Sequence, residues 1–305
     1  MVAYAIRRVL FMFPLLLAVA TITFFLMHMV EGGPFDGDRP ISPTQRQALE
    51  QRYGLDDSIG QQYITFMGNL LQGDLGISFR GDQDVIDIIR DRADVSAQLG
   101  FSAFIFAVLL GASLGIFSAL NQNGPLDYIG VFLATAGAAL PSFVLAPLLL
   151  IAFALKLDWF DVLGWELWNY KKMVLPTIAL GMLPAAFIAR ITRASMLDIL
   201  RQDYVRTARA KGVTEFNVVM RHAVKNALIP VLTILGPIFA GLITGSFIVE
   251  RAFQIPGIGT AFVSAVQVRD YGMIMGVTLF FAVMIAIMNL IVDLLYAVVD
   301  PRIRL

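Results

Sequence analysis

Six stretches of this chain are apolar and long enough to cross a lipid bilayer, and no other feature limits its fold as strongly. They run approximately from Val9 to Val30, Leu99 to Leu120, Tyr128 to Leu155, Val174 to Ala189, Leu228 to Val249 and Met273 to Val299. A helical span needs about 20 apolar residues to cross roughly 30 Å of hydrocarbon. Backbone amides find no water there, so each stretch must bond its own backbone as a helix. Over 305 residues the chain is 58% hydrophobic and 15% charged, with a mean hydropathy of +0.74. That is too apolar for a soluble domain of this size. The expected class is an all-α polytopic membrane protein of six transmembrane helices. Pro141 and Pro147 predict a kinked third helix. The first stretch, behind Arg7 and Arg8, exceeds the signal-peptide core of about 7 to 15 residues and lacks a small-residue cleavage site, so it reads as a retained anchor.

Formal net charge is zero, but the charges are segregated. With the N-terminus inside, twelve basic residues fall on the cytoplasmic side: Arg7 and Arg8, eight between Arg190 and Lys225, then Arg302 and Arg304. The short outer loops hold five. The excess of Lys and Arg places both termini in the cytoplasm. The segment 31–97 is left out of that comparison because of its length; it carries twelve acidic and six basic residues and forms an acidic extracytoplasmic insertion between helices 1 and 2. Ser42 is positioned to cap a helix starting at Pro43, and Ser58 a second one through QQYITFMGNLL. Asp82 or Asp84 would start a third through VIDIIRDR. GDLGIS, 73–78, reads as a turn. Tyr53, Tyr63 and Phe66 are expected to pack this insertion onto the membrane domain.

Catalysis finds little support. There is no cysteine, no phosphate-binding GxxxxGK[ST] sequence, and the two histidines, His28 and His222, lack paired metal-ligand spacing. No cofactor or metal site, no nucleic-acid partner and no enzymatic role are expected in this chain.

The segment 198–228 is different in kind, a basic stretch between two spans. Arg201, Arg206, Arg209, Arg221 and Lys225 are spaced for a solvated helical face. Tyr204, Val205, Ala208, Val213, Phe216, Val219 and Met220 supply an apolar one. Gly212 divides it where a left-handed turn is easy. A short helix, a turn at Lys211 and Gly212, and a second helix reaching span five at Pro230 follow. An amphipathic helix lying on anionic lipid has the same pattern. Continuity with spans four and five favours instead a part that transmits force into the bundle.

RTARAKG, from Arg206 to Gly212, resembles the peptide-transporter version of the cytoplasmic signature loop of binding-protein-dependent ABC importers, whose general form is EAA, three residues, then G. Arg206 and Thr207 stand for the Glu and first Ala; Ala208 and Gly212 keep the second Ala and the Gly. The continuation I-x-L-P is absent, as is usual in the peptide and nickel branch. RRVLFMFPLLL, EGGPFDG, GDLGISF, ITGSFIVERAFQIPGIG, RDY and NLIVDLLYAVVDPRIRL resemble, in order, the B-type permeases of peptide importers. GGPF, where dipeptide-type relatives more often read PGDP, tilts the resemblance to oligopeptides over dipeptides; nickel complexes and glutathione stay open as alternative substrates.

The resemblance implies a type I ABC importer permease in a bacterial inner membrane. It also implies a second homologous permease, two cytoplasmic ATPases holding ATP and Mg, an extracytoplasmic peptide-binding protein and surrounding lipid. The coupling contact would be made by Tyr204, Arg206, Thr207, Ala208, Arg209, Ala210, Lys211, Gly212, Val213 and Phe216. Spans three and five commonly line the pathway in that family. Thr135, Ser142, Thr233, Thr244 and Ser246 are then wall candidates, with Glu250 in an outer gate or ordinary connector.

Intramembrane polar groups cost free energy unless they face protein or water. Asp293 and Asn289, one turn apart, read either as a cavity wall or ion site, or as partners for cytoplasmic arginines. An ion-coupled secondary transporter using Asp293 or Glu250 is the rival reading, though no repeated or inverted half is visible. Arg190 and Arg193 read as snorkelling side chains. GASLG, 111–115, and GLITG, 241–245, read as smooth faces for close helix packing, with pore lining as the alternative.

Overall fold

The computed structural model describes residues 2–30, 32–35 and 42–299; for 2–5 and 292–299 it describes the backbone alone. In chain order the helices are α1 (Val2–Met29), α2 (Pro43–Arg52), α3 (Ile59–Leu71), α4 (Val85–Leu120), α5 (Pro125–Ala139) and α6 (Ser142–Leu149), which continues as a π-helical turn Leu150–Lys156. After these come α7 (Tyr170–Leu200), α8 (Asp203–Ala210), α9 (Glu215–Asn217), a π-helical turn Val218–Val224, α10 (Lys225–Ala227), α11 (Ile229–Ile243), α12 (Phe247–Ala252), α13 (Ile258–Gln267) and α14 (Tyr271–Val299). Among the described residues four helices, α1, α4, α7 and α14, are long and apolar enough to span a bilayer. The number rises to six if the bent pairs α5 with α6 and α9–α10 with α11 each count as one span.

Three boundaries differ from expectation. The third stretch is broken rather than kinked, turning by 106° between α5 and α6. Pro141 has no N–H to continue α5 and forces Leu140 into extended backbone, φ −94° and ψ 108°. The helix through VIDIIRDR is not separate but is the first part of α4, since no proline lies between Val85 and Leu120. Span five stops at Ile243, not Val249, because the chain turns at Gly245 with φ +94°. Asp84 takes the N-cap position of α4 without a side-chain capping bond, while the Asp82 carboxylate accepts from Arg52 at 2.7 Å and from Tyr53. Ser42 and Ser58 cap α2 and α3 as expected, the first in a full capping box with Gln45.

The bundle is built on α4 and α7. Gly111 and Gly115 allow the approach: a Cβ at Gly111 would lie 2.6 Å from the Ala185 carbonyl oxygen, and one at Gly115 would lie 2.5 Å from Thr192 Cβ. Close packing therefore explains GASLG. It does not explain GLITG, because Gly241 has open space at its Cβ position and Gly245 sits in the turn. Gly111→Val is expected to push α4 off α7 and cost about 1–3 kcal/mol, read as a lower thermal midpoint in detergent. Gly241→Ala is the contrasting variant, with a midpoint close to the parent's.

At one end of the bundle α3 lies against α1, beside the start of α14. Phe24 of α1 meets Tyr63 at 5.4 Å and Phe66 at 5.9 Å between ring centroids. Tyr53 packs instead on Phe79, at 4.7 Å, and Phe79 lies 6.2 Å from Tyr271 of α14. The opposite end carries α8.

Candidate functional site

The α8 turn is defined by hydrogen bonds. Past Lys211, Gly212 takes φ +78°, a left-handed conformation costly for residues with a Cβ. Its N–H donates to the Arg209 carbonyl at 3.0 Å, and the Val213 N–H donates to Ala208 at 3.3 Å. That pair of bonds is the Schellman stop, which satisfies carbonyls that the helix end leaves open. Val205, Ala208 and Val218 close a small buried cluster beneath the turn, with Val213 and Ile199 against it. Arg209 bridges the two arms, donating to Glu215 at 2.7 and 3.1 Å.

The apolar face anticipated for this segment divides in two. Val205, Ala208 and Val219 are buried, while Phe216 is 74% exposed and Met220 and Tyr204 are exposed with it. The turn at Gly212 reverses the chain, so a face continuous on a helical wheel ends on opposite sides of the hairpin. Tyr204 is held at its hydroxyl, which accepts from Asn226 Nδ2 at 3.0 Å. Arg206, Thr207, Ala210, Lys211 and Gly212 form the exposed tip. Behind it, Val219, Ala223, Val224 and Ala227 pack with Ala119 of α4 and Met196 of α7. The hairpin projects at its tip and is bolted to two long helices at its base.

Just above that base lies a polar cluster. Arg193 of α7 donates to both carboxylate oxygens of Asp127, each at 2.7 Å. The Ser118 hydroxyl of α4 donates to the same carboxylate, and the Asn123 N–H donates at 2.9 Å. Asp127 is 4% exposed. Snorkelling is therefore not the account of Arg193, which is half of an ion pair joining α4, α5 and α7. Arg190 lies over the Phe187 ring at 5.7 Å.

The wall candidates separate by environment. Thr135 and Thr233 are exposed, and Thr233, Pro237 and Gly241 form an open stripe along α11. Ser142 is half-buried at the start of α6. Thr244 is buried and donates to the Gly241 carbonyl at 3.1 Å; Ser246 caps α12 by accepting from Val249 N–H. Glu250 is wholly buried. Its carboxylate accepts from Ser96 Oγ at 2.8 Å and from the N–H groups of Ser246 and Thr260, while Ser96 Oγ accepts from Ile258 N–H at 2.9 Å. A carboxylate at the first turn of α13 suits the exposed amides and dipole there. Glu250 thus ties α12, α13 and α4 together. Asn289 is half-buried, and the Asp293 side chain lies outside the described residues.

Comparison with known proteins decides the family. Residues 111–305 match the binding-protein-dependent transport system inner membrane component family, and residues 1–100 match the N-terminal region of binding-protein-dependent transport system membrane components. The chain belongs to this family. It is 43% identical over its whole length to the oligopeptide transport system permease protein OppB of Escherichia coli K12, which it covers completely. It is 42% identical to the dipeptide transport system permease protein DppB of Bacillus subtilis, over all of this chain and 99% of that one. Its fold is similar to chains from the MetNI methionine ABC transporter in an inward-facing conformation, with TM-score 0.58, 14% identity, and coverage of 70% of this chain and 96% of that one. A chain of an amino acid ABC transporter gives TM-score 0.54 at 18% identity, covering 69% of this chain and 93% of that one.

In this binding-protein-dependent permease, Asp127, Ser118 and Ser96 belong to no motif that the sequence displays. One signal was available for the first: an acid at the edge of an apolar stretch and an arginine at the same end of the next one in the bundle. The Arg209 and Glu215 pair is minor for stability. Arg209 holds the Glu215 carboxyl below its ordinary range by donating hydrogen bonds to it. A depressed carboxyl adds stability at neutral pH that is lost as pH falls through its folded-state range. With Arg209 41% and Glu215 62% exposed, that contribution is about 0.5 kcal/mol or less. Arg209→Ala is expected to leave the neutral-pH melting midpoint of the permease nearly unchanged. A large drop would mean that the pair, rather than the Schellman turn, holds the hairpin.

Proposed function

We propose that this chain is one permease half of an ATP-driven peptide importer, with oligopeptides as substrates delivered by an extracytoplasmic binding protein. The observation that carries the reading is the α8 hairpin, a stiff projecting tip with a buried base. A helix that must pass a push from a cytoplasmic ATPase into the membrane needs this construction, because a flexible loop would absorb the stroke. Names of relatives support the substrate class, since those most similar here are named for oligopeptide or dipeptide transport.

In this proposal segment 198–228 lies in the cytoplasm, both termini lie on the same side, and 31–97 forms the extracytoplasmic insertion. Tyr204 to Phe216 enters a groove on one of two ATPases, which hold ATP and Mg. Closure of the ATPases brings this hairpin and that of a second, homologous permease together, and α4 and α7 carry the motion outward. Thr135, Ser142 and Thr233 are offered to the pathway. Thr244, Ser246 and Glu250 maintain the bend that shapes its outer end. Selection among peptides rests mainly with the binding protein, since a wide cavity shared by two chains meets the common peptide backbone and many side chains.

Affinity purification of the tagged chain in mild detergent, followed by identification of its companions and an ATP hydrolysis assay, tests the assembly. A second permease with one or two ATPases is the expected recovery. Uptake of labelled peptide into vesicles lacking an ion gradient is expected to require ATP. Uptake that instead follows an imposed ion gradient without ATP sinks the proposal.

A further inference from the structure

The segment 76–85 leads into α4 and folds back on itself as a tight turn. Ile77 faces Asp84 in an antiparallel bridge, the Ser78 N–H donates to the Gln83 carbonyl at 2.9 Å, and the Val85 N–H donates to the Gly76 carbonyl at 3.0 Å. Gly81 and Asp82 reverse the chain with φ of +107° and +53°, and the Asp82 carboxylate is held by Arg52 and Tyr53. Arg80 stands on this fixed turn. Arg92 comes from α4, one helical turn beyond Ile88, and Ser264 comes from α13. Together with Gln83 they line an open cleft of about 190 Å³ between the turn, α4 and α13.

All four of these side chains carry N–H or O–H donors, and none of them makes a hydrogen bond or an ion pair among the described residues; of Arg80 only the backbone N–H is engaged, with Ser78 Oγ at 3.3 Å. Arg46 and Arg52, by contrast, pair with Glu50 and Asp82. The carboxylate that lines the cleft, Asp270, is 3% exposed. Its Oδ2 accepts from the Ser78 hydroxyl and its Oδ1 from the Met273 N–H at 3.2 Å, so both oxygens are engaged within the fold. Two guanidinium groups against one carboxylate leave the cleft with an excess of positive charge. It belongs to a segment, 31–97, that is otherwise acidic.

We propose that this cleft binds the C-terminal carboxylate of the peptide being imported, with Arg80 and Arg92 as its charge partners and Gln83 and Ser264 as further donors. The choice of a peptide as ligand rests on the importer reading above; the excess of unengaged donors and positive charge does not. A guanidinium presents its N–H groups as a planar fork that matches the two oxygens of a carboxylate. Pockets that enclose a whole small ligand measure about 300–1,000 Å³, so a cleft of about 190 Å³ takes the end of a peptide rather than its length. Side chains differ from one peptide to the next, but every unmodified peptide ends in a carboxylate. A site that reads this group accepts peptides of any sequence and still fixes which end enters it.

The test is a titration of the full chain, reconstituted in phosphatidylcholine nanodiscs, with trialanine and with trialanine amide, followed by saturation-transfer NMR of the peptide. Trialanine is expected to bind about tenfold more tightly than the amide, which lacks the anion. Arg80→Gln and Arg92→Gln are each expected to remove most of that preference. Neither exchange breaks a side-chain bond among the described residues, so the melting midpoint should stay near the parent's. Arg92→Lys, which keeps the charge and loses the fork, should fall between parent and glutamine variant. Equal binding of acid and amide by the parent, or a preference that survives in the Arg80→Gln, Arg92→Gln double variant, overturns the site. Ala-Glu-Ala amide carries its carboxylate on a side chain alone; binding as tight as that of trialanine would reject the assignment to the peptide's C-terminus. The assay contains no ATPase and no binding protein, so a negative result leaves the importer reading standing. Failure of that reading shows instead in the companions recovered with the chain and in the ATP dependence of uptake.

Discussion

Gly212→Val is expected to reduce uptake at least tenfold while the chain still inserts and folds in the membrane. A Cβ at Gly212 would meet nothing within 4 Å, so the effect arises in the backbone alone. The left-handed conformation costs an ordinary L-residue about 1–2 kcal/mol, and a β-branched side chain is disfavoured further. Helix α8 has eight residues, too few to persist without its stop and its buried contacts. Loss of the two Schellman bonds from Gly212 and Val213 would fray the last turn and swing the exposed tip out of position. Gly212→Asn gives the complementary result, since asparagine tolerates the left-handed region, and it should retain most of the uptake. Uptake and ATP hydrolysis measured together in the purified assembly check both: hydrolysis without transport, or loss of the ATPases, is the expected signature of the valine variant. Normal uptake with Gly212→Val would remove this turn from the coupling path.

Asp127→Ala should be the most destabilising exchange near the hairpin base. It leaves the Arg193 guanidinium facing the cluster without a counter-charge and the Asn123 N–H without its acceptor. Breaking one side of a buried ion pair costs about 3–5 kcal/mol. The lower end applies here because Arg193 keeps 28% of its side-chain surface exposed. Arg193→Ala should cost a similar amount. The double variant should recover a large part of the loss, because neither charge is then stranded. Thermal unfolding of the four chains in one detergent provides the cycle. Single losses that simply add would mean that the two residues act separately, and would withdraw the ion pair as the tie between α4, α5 and α7.

The two predictions also mark different degrees of legibility. Gly212 could be singled out from the sequence because its role is local: a glycine flanked by a basic amphipathic helix and a second apolar pattern needs no distant partner to form a turn. The same holds for Ser42 and Ser58, whose capping bonds reach three residues along the chain. Asp127 and Arg193 are 66 residues apart. No spacing rule connects them, and an arginine at a membrane edge has the ready alternative of snorkelling.

The sequence by itself determined that the chain lives in a membrane, approximately where its helices cross, and where a basic hairpin interrupts them. Hydrophobic length, prolines, glycines and caps act within a few residues, so they survive without a tertiary frame. Only the tertiary structure decided that Pro141 breaks the third stretch by 106°, that Gly111 packs on α7 while Gly241 stays open, and that Glu250 is a buried tie. It likewise decided that Phe216 turns outward. In each case the deciding quantity is what lies across from the residue. A glycine, a carboxylate or an aromatic ring carries the same chemistry at a helix contact as on an open surface, and only the approach of a distant segment selects between them.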